Sequence, residues 1–260
     1  MRILLTGASR GIGAAIAMRL AGEGVSLALC GSSPSEHLDE VAFACANQGA
    51  RVEALTGDLG EWDVPARLVG DAADRFGGLD AVVANAGIVV PGSLGELTED
   101  AWQRTFDVDV RSAWLMARAA HPHLEASQGA MVTVASMSGV EPYPGTGAYS
   151  PAKAALIMLV RVLALEWAAS GTRINAVSPG LVHTAMTAPI YADPMNRAAR
   201  EALVPMHRIA DADRDIAGVV AFLLSADATY MTGQNLLVDG GLLGSVQTHL
   251  AGRPRSGGGQ

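Results

Sequence analysis

The sequence predicts a single α/β domain: a doubly wound parallel sheet with helices on both faces. Three observations carry this. Short apolar runs that end in turn residues alternate with longer segments of helical period along nearly the whole chain. A glycine-rich turn, Thr6-Gly7-Ala8-Ser9-Arg10-Gly11-Ile12-Gly13, follows the first of these runs and opens directly into a helical segment. Half of the 260 residues are apolar and 17% are charged, with no linker, repeat or shift of composition to divide them. Strand–helix alternation of this kind covers both sheet faces, which favours parallel strands joined by right-handed crossovers.

The first strand is read over residues 3–5, with a helix over 12–21. Further strands fall at 26–30, 52–55, 81–84, 131–135, 174–177 and 236–238, and helices at 35–47, 64–76, 100–120, 153–169 and 213–225. Residues 183–209 have little strand character and are rich in Met, Pro and Ala; connections this long are usually lids, binding loops or disordered. The expected organisation is therefore a domain over 1–244, with 183–209 as a substrate lid, and a C-terminal tail over 245–260 that is flexible from about residue 252.

A net charge of −8 and a pI near 5.2 argue against a nucleic-acid partner, which would want a basic face. Cys30 and Cys45 form no disulfide framework and no metal-ligand spacing; they read as buried small hydrophobes, in keeping with a reducing cytosol. His121-Pro122-His123 has no acidic or cysteine partner beside it and reads as a helix end with solvated imidazoles, so no metal site is expected. The apolar run after Met1-Arg2 is too short for an export signal, and no stretch is long enough to span a bilayer. A cytoplasmic protein without a membrane partner is expected.

Two motifs carry chemistry. In the glycine turn the backbone can turn tightly and approach a pyrophosphate, and the helix that follows offers its free N–H groups to it. The spacing is Gly7-x-x-x-Gly11-x-Gly13, not the commoner Gly-x-Gly-x-x-Gly. In Tyr149-Ser150-Pro151-Ala152-Lys153 a phenol and an ammonium lie one helical turn apart on one face. An ammonium close to a phenol favours the phenolate, which makes a general acid/base able to work near neutrality.

Residues 6–13, Asn85-Ala86-Gly87, Ser136, Tyr149-x-x-x-Lys153 and Pro179-Gly180, in this order and spacing, resemble the short-chain dehydrogenase/reductase family, and within it the branch of 3-oxoacyl-carrier-protein reductases. Met231-Thr232-Gly233-Gln234 and Val238-Asp239-Gly240-Gly241 match that family's closing strand, so the resemblance runs from Arg2 to about Leu242. It implies a Rossmann-type fold and an oxidoreductase, a ketoreductase in one direction, moving hydride between a nicotinamide cofactor and a carbonyl/secondary alcohol pair. Tyr149 would protonate or deprotonate the substrate oxygen. Lys153 would tune it and hold the nicotinamide ribose. Ser136, thirteen residues before Tyr149, would donate a hydrogen bond to the reacting oxygen. Ser138, the nearest rival, reads as a turn-forming serine.

The same resemblance assigns cofactor contacts to Gly7, Ser9, Arg10, Gly11, Ile12 and Gly13 at the phosphates, and to Asp58 and Leu59 at the adenine. Asn85, Ala86 and Gly87 would shape the floor of the site, and Pro179, Gly180, Val182 and Thr184 would line the nicotinamide amide. Gly31 stands where an NAD-preferring relative carries an acid, with no carboxylate until Glu36. Arg10, with Ser32 and Ser33, favours NADP, with NAD as the alternative. One position departs from the family. Where it often has Trp-x(6)-Asn, Trp102 is followed by Asp109, whose carboxylate beside Lys153 would favour the charged lysine and move the pH optimum.

Glu141 and Tyr143 fall where substrate-facing residues occur in the family. Met186, Met195 and Met206 are read as contacts for an apolar substrate or as loop packing. A neutral or apolar substrate is expected, with a 3-oxoacyl thioester, a small ketone, a steroid-like ring and a sugar all open. Trp102 and Trp114 are read as core or interface packing. The long apolar helices, paired between subunits in the family, imply a homodimer or homotetramer. The competing reading is a nucleotide-binding regulatory or scaffold protein with the same fold and little turnover.

Overall fold

The computed structural model describes residues 1–184 and 187–245. Seven strands form one parallel sheet in the order β3-β2-β1-β4-β5-β6-β9: β1 (Arg2–Thr6), β2 (Ser26–Gly31), β3 (Arg51–Thr56), β4 (Ala81–Ala84), β5 (Ala130–Val134), β6 (Arg173–Pro179) and β9 (Asn235–Val238). Each predicted strand is present. A separate two-residue parallel pair, β7 (Val182–His183) with β8 (Ala210–Asp211), closes the base of the segment between β6 and the last helix.

Strand side chains alternate between the sheet's two faces, and the core divides accordingly. Leu4, Ala28, Val82, Met131 and Ile174 pack against α3 (Val64–Phe76), α5 (Ser112–Ser127) and α6 (Tyr149–Trp167). Ile3, Leu5, Leu27, Leu29, Val83 and Val132 face α1 (Gly11–Leu20), α2 (Glu36–Asn47) and α9 (Gly218–Leu224). Because both faces are covered, the strands read as continuous apolar runs. The chain winds outward from β1 to β3, then returns beside β1 as β4, so a crevice opens at the carboxyl ends of β1 and β4.

Three helical predictions need correction. The helix predicted over 100–120 is α4 (Glu99–Phe106), a π turn (Asp107–Arg111) and α5 running on to Ser127. Ser112 N bonds Asp107 O in the i→i−5 pattern, and Ser112 Oγ donates to Val108 O at 2.6 Å, so the hydroxyl satisfies a carbonyl that the wider turn would otherwise leave open. Pro122 sits inside α5 and removes one i→i−4 bond without ending the helix. The helix predicted from Lys153 starts at Tyr149, which puts both motif residues in its first two turns. The helix predicted over 213–225 is a π turn (Ala212–Ala217) followed by α9.

The stretch 183–209 holds two helices, α7 (Ala188–Tyr191) and α8 (Pro194–Leu203). Pro194 at N1 and the Asp193 side chain, accepting from Met195 N at 2.9 Å, start α8; these cues lie in a run too polar to give a buried stripe. Met186 and the tail over 246–260 lie outside the described residues.

Candidate active site

A cleft of about 390 Å³ opens at the carboxyl ends of β1, β4, β5 and β6. Its lining includes Gly7, Ser9, Arg10, Gly11, Ile12, Gly13, Ser32, Asp58, Leu59, Asn85, Ala86, Gly87, Ser136, Tyr149, Lys153, Pro179, Gly180, Val182 and Thr184. The fold therefore gathers the proposed catalytic and cofactor residues except Asp109, which is buried just behind the wall, and Ser33; Glu141, Tyr143, Met195 and Met206 also lie outside the lining.

The glycine turn forms one wall. Gly7 and Gly11 hold φ of +66° and +59°, a region L side chains rarely adopt, and a Cβ on Gly13 would stand 2.0 Å from Gly7 O. Asn85 fixes this turn to β4: its Nδ2 donates to Thr6 O at 3.0 Å and to Gly7 O at 3.2 Å. Thr6 Oγ1 accepts from the backbone N–H groups of Asn85 and Ala86, both at 3.2 Å. No side chain caps α1, so its first N–H groups remain available to an anion. A turn that lacks Cβ atoms at Gly7, Gly11 and Gly13, in front of an uncapped helix, fits a pyrophosphate.

Arg10 of this turn shares the cleft with Gly31, Ser32 and Asp58. Among the described residues Arg10 makes no ion pair, and it is exposed. Asp58 is partly exposed and paired. It accepts twice from Arg104 Nη2, at 2.8 and 2.9 Å, and once from Gly60 N at 2.8 Å. The Arg104 hydrogen bonds hold its carboxyl below the usual carboxylate range, against the opposing effect of burial.

Ser136 closes β5. Its Oγ accepts from Ser138 N at 3.1 Å, and it lines the cleft, whereas Ser138 is buried outside the lining. Lys153 is buried, with Nζ donating to Val134 O at 3.2 Å and lying 5.4 Å from the centroid of the Tyr149 ring. Asp109, carried on the π turn, places Oδ2 at 3.2 Å from Nζ, an ion pair without an aligned hydrogen bond. Asp109 Oδ1 accepts from Ile88 N at 2.8 Å. Burial alone would lower the lysine's pKa, but the Asp109 carboxylate and the Tyr149 phenol raise it above its ordinary value. Gly87 leaves room for the pair, since a Cβ there would lie 3.0 Å from Nζ and 3.3 Å from Oδ2.

Pro179, Gly180, Val182 and Thr184 form the remaining wall. A Cβ on Gly180 would stand 2.6 Å from Asp239 Cα, so only glycine lets the two strand ends meet. Thr187 Oγ1 accepts from Thr184 N at 2.9 Å and donates to Val182 O at 2.7 Å, which locks the turn that holds Thr184.

Sequence reasoning missed Arg104, Thr187 and Gly57, all in the lining. Thr187 had a signal, a Thr-x-x-Thr turn before a helix; Arg104 had none, because its partner is 46 residues away. Other expectations shift. His121 stacks on Trp167 with ring centroids 4.0 Å apart, rather than standing in solvent. Trp102 stacks on Phe106 at 5.0 Å, and Trp114 meets Trp62 edge-on at 6.5 Å; both are on the surface, so of the core and interface readings the core one does not hold. Glu141, Tyr143, Met195 and Met206 are exposed. Burial pushes the Cys30 thiol up to about 12. No helix among the described residues is long and apolar enough to cross a membrane.

A doubly wound sheet with an uncapped glycine turn at its switch point, and a serine, a tyrosine and a buried lysine in the same cleft, defines a pyridine-nucleotide oxidoreductase. The family model described as Enoyl-(Acyl carrier protein) reductase matches residues 7–243. The chain is 39% identical to cis-4-hydroxycyclohexanecarboxylate dehydrogenase of Sinomonas cyclohexanicum, over 92% of this chain and 94% of that one. It is 35% identical to 3beta-hydroxysteroid dehydrogenase 1 of Eggerthella lenta, over 92% of each. A short-chain dehydrogenase of Burkholderia cenocepacia J2315, solved in complex with NADP, superposes with a TM-score of 0.86 at 35% identity, over 93% of this chain and 97% of that one. The chain belongs to the short-chain dehydrogenase/reductase family.

Proposed function

We propose that the protein reduces a ketone, or oxidises the matching secondary alcohol, with NADP(H) as the preferred nicotinamide. The observation that carries this is the meeting of Ser136, Tyr149 and Lys153 in one cleft with the glycine turn. The cofactor, when bound, supplies or accepts the hydride. In the reductive direction Ser136 donates a hydrogen bond to the carbonyl oxygen, and Tyr149 gives that oxygen its phenolic proton; in oxidation the proton returns to Tyr149. Lys153, charged and fixed by Val134 O and Asp109, favours the phenolate left behind and offers its ammonium to the ribose hydroxyls. Each turnover of the ketone consumes one NADPH and one proton.

The NADP preference rests on Arg10, exposed and without an ion pair among the described residues, and on Gly31 and Ser32 at the end of β2, which carry no acid; the Asp58 carboxylate in the same cleft is paired with Arg104. In steady-state kinetics kcat/KM for NADPH is expected to exceed that for NADH. Arg10→Ala should lower the NADPH value about 10-fold or more and leave NADH nearly unchanged, as loss of one charge-assisted contact would. A lower kcat/KM for NADPH than for NADH in the unaltered enzyme would overturn the assignment. The substrate range is best opened with ketones and 3-oxoacyl thioesters, and with ring alcohols of the kind the steroid and cyclohexanecarboxylate relatives are named for.

The segment over 183–209 serves in this reading as the substrate lid. The protein assembles as a homodimer or homotetramer, through outward faces that expose Met158, Val162 and Leu165 on α6 and Trp102 and Trp114 on α4 and α5. Light scattering at micromolar concentration should read a multiple of the chain mass; the monomer mass would exclude it. Its place of action is proposed to be the cytoplasm.

A further inference from the structure

We infer that Arg200, held between Tyr143 and Tyr191, recognises a carboxylate on the substrate. This rests on the carbonyl/alcohol chemistry proposed above and names the class of molecule that the site takes. It departs from the neutral substrate expected from the lid's composition.

Arg200 lies on α8 and is half-buried. Its guanidinium carbon stands 5.8 Å from the centroid of the Tyr191 ring, and Nη2 reaches the Tyr143 hydroxyl at 3.5 Å. Among the described residues no carboxylate pairs with it, although Arg197, one turn earlier, binds Glu201 at 2.9 Å. Tyr191 adds a second open group. Its side chain is buried and stacked on His183 at 5.7 Å, yet its hydroxyl has no hydrogen-bond partner. A buried phenol hydroxyl is rarely left so, because it forfeits water without gaining a protein bond.

Both ends of this group are tied to the catalytic cleft. Tyr143 N donates to Ser150 Oγ at 3.2 Å, and Ser150 follows Tyr149 directly. On the other side His183 stands between Val182 and Thr184, and Tyr191 ends the helix that Thr187 precedes; Val182, Thr184 and Thr187 all line the cleft. The guanidinium thus bridges two segments that continue directly into the cleft's lining, while Arg200, Tyr143 and Tyr191 themselves stand outside that lining. It presents several N–H donors in a fixed fork, over the ring of a tyrosine whose buried hydroxyl has no partner. A carboxylate oxygen pair matches that set, while a hydrocarbon or a neutral ketone would leave it unanswered.

The test separates binding from turnover. With the enzyme saturated by NADP⁺, calorimetric titration compares cyclohexanecarboxylate with cyclohexanecarboxamide, neither of which can be oxidised at a carbinol. The acid is expected to bind about 10-fold or more tightly than the amide, Arg200→Leu to abolish that preference, and Arg200→Lys to keep part of it. In reduction assays Arg200→Leu should lower kcat/KM for 4-oxocyclohexanecarboxylate about 10- to 100-fold, chiefly through KM, and leave cyclohexanone within about threefold. Equal binding of acid and amide by the unaltered enzyme overturns the inference. So does an Arg200→Leu variant that keeps the preference, or one that weakens acid and amide alike, which would mark Arg200 as lid packing. Reduction of cyclohexanone without any acid preference sinks this inference alone. An acid preference that Arg200→Leu removes, in an enzyme that reduces no ketone, sinks the carbonyl reading and keeps the anion site.

Discussion

Tyr149→Phe is expected to lower kcat about 10²- to 10⁴-fold while cofactor affinity stays within a few-fold of the unaltered enzyme, the range in which a positioned general acid acts. The substitution removes only the hydroxyl. The ring that Lys153 Nζ approaches at 5.4 Å remains, and so does the start of α6, so the fold and the glycine turn are left as they are. Turnover and NADPH binding by fluorescence titration, measured on the same preparation, check both halves. This variant also divides the two readings of the fold: a nucleotide-binding regulator or scaffold would be indifferent to the loss. Turnover unchanged in Tyr149→Phe would remove Tyr149 from the mechanism.

The second large effect lies at Asp109. Asp109→Ala leaves the buried Lys153 ammonium without its counter-charge and frees Ile88 N, and it is expected to destabilise the fold by about 3–5 kcal/mol in denaturant titrations. Asp109→Asn keeps the shape and an oxygen for Ile88 N but removes the charge. Lys153 then loses the attraction that holds it above its ordinary value of 10.5, and burial lowers it.

The sign of the pH effect follows from linkage. With Asp109 present, the raised lysine pKa contributes stability below the unfolded value of 10.5 that is lost as pH rises through the folded value. In Asp109→Asn the lysine titrates lower when folded than unfolded, so stability rises with pH in the window just below 10.5. The alkaline limb of the pH–rate profile should move to lower pH, because the charged lysine is lost earlier. A profile unmoved by Asp109→Asn would show that the carboxylate does not set the lysine's charge during turnover.

The contrast between what was legible and what was not has a physical basis. The sheet could be read because its strands are buried on both faces, which writes each as an apolar run such as residues 3–5 or 26–30. The site could be read because its parts sit at strand ends in a fixed order: Gly7 to Gly13 after β1, Asn85 after β4, Ser136 after β5 and Pro179 at the end of β6. Contacts made across the fold left no such trace. The Asp58–Arg104 clamp and the Arg200–Tyr143 contact each join residues 46 or more apart, and neither end belongs to a periodic pattern. The π turn was hidden for a different reason: it lies, with the Ser112 Oγ bond to the Val108 carbonyl, inside a stretch whose apolar period looks unbroken. That turn is what brings Asp109 to Lys153, so the departure was visible in the sequence while its 3.2 Å contact was not.

On the proposed function this cleft moves a hydride to a carbonyl carbon. This is tested most directly by following the label from NADPH deuterated at C4 of the nicotinamide, supplied separately with each face labelled, to the ketones and keto acids of the substrate panel. The account predicts that one of the two preparations delivers a single deuterium to the carbinol carbon of the product, read by mass spectrometry, and that Tyr149→Phe suppresses it. NADPH that binds the enzyme and yields no labelled carbinol from either preparation, across the whole panel, would contradict it.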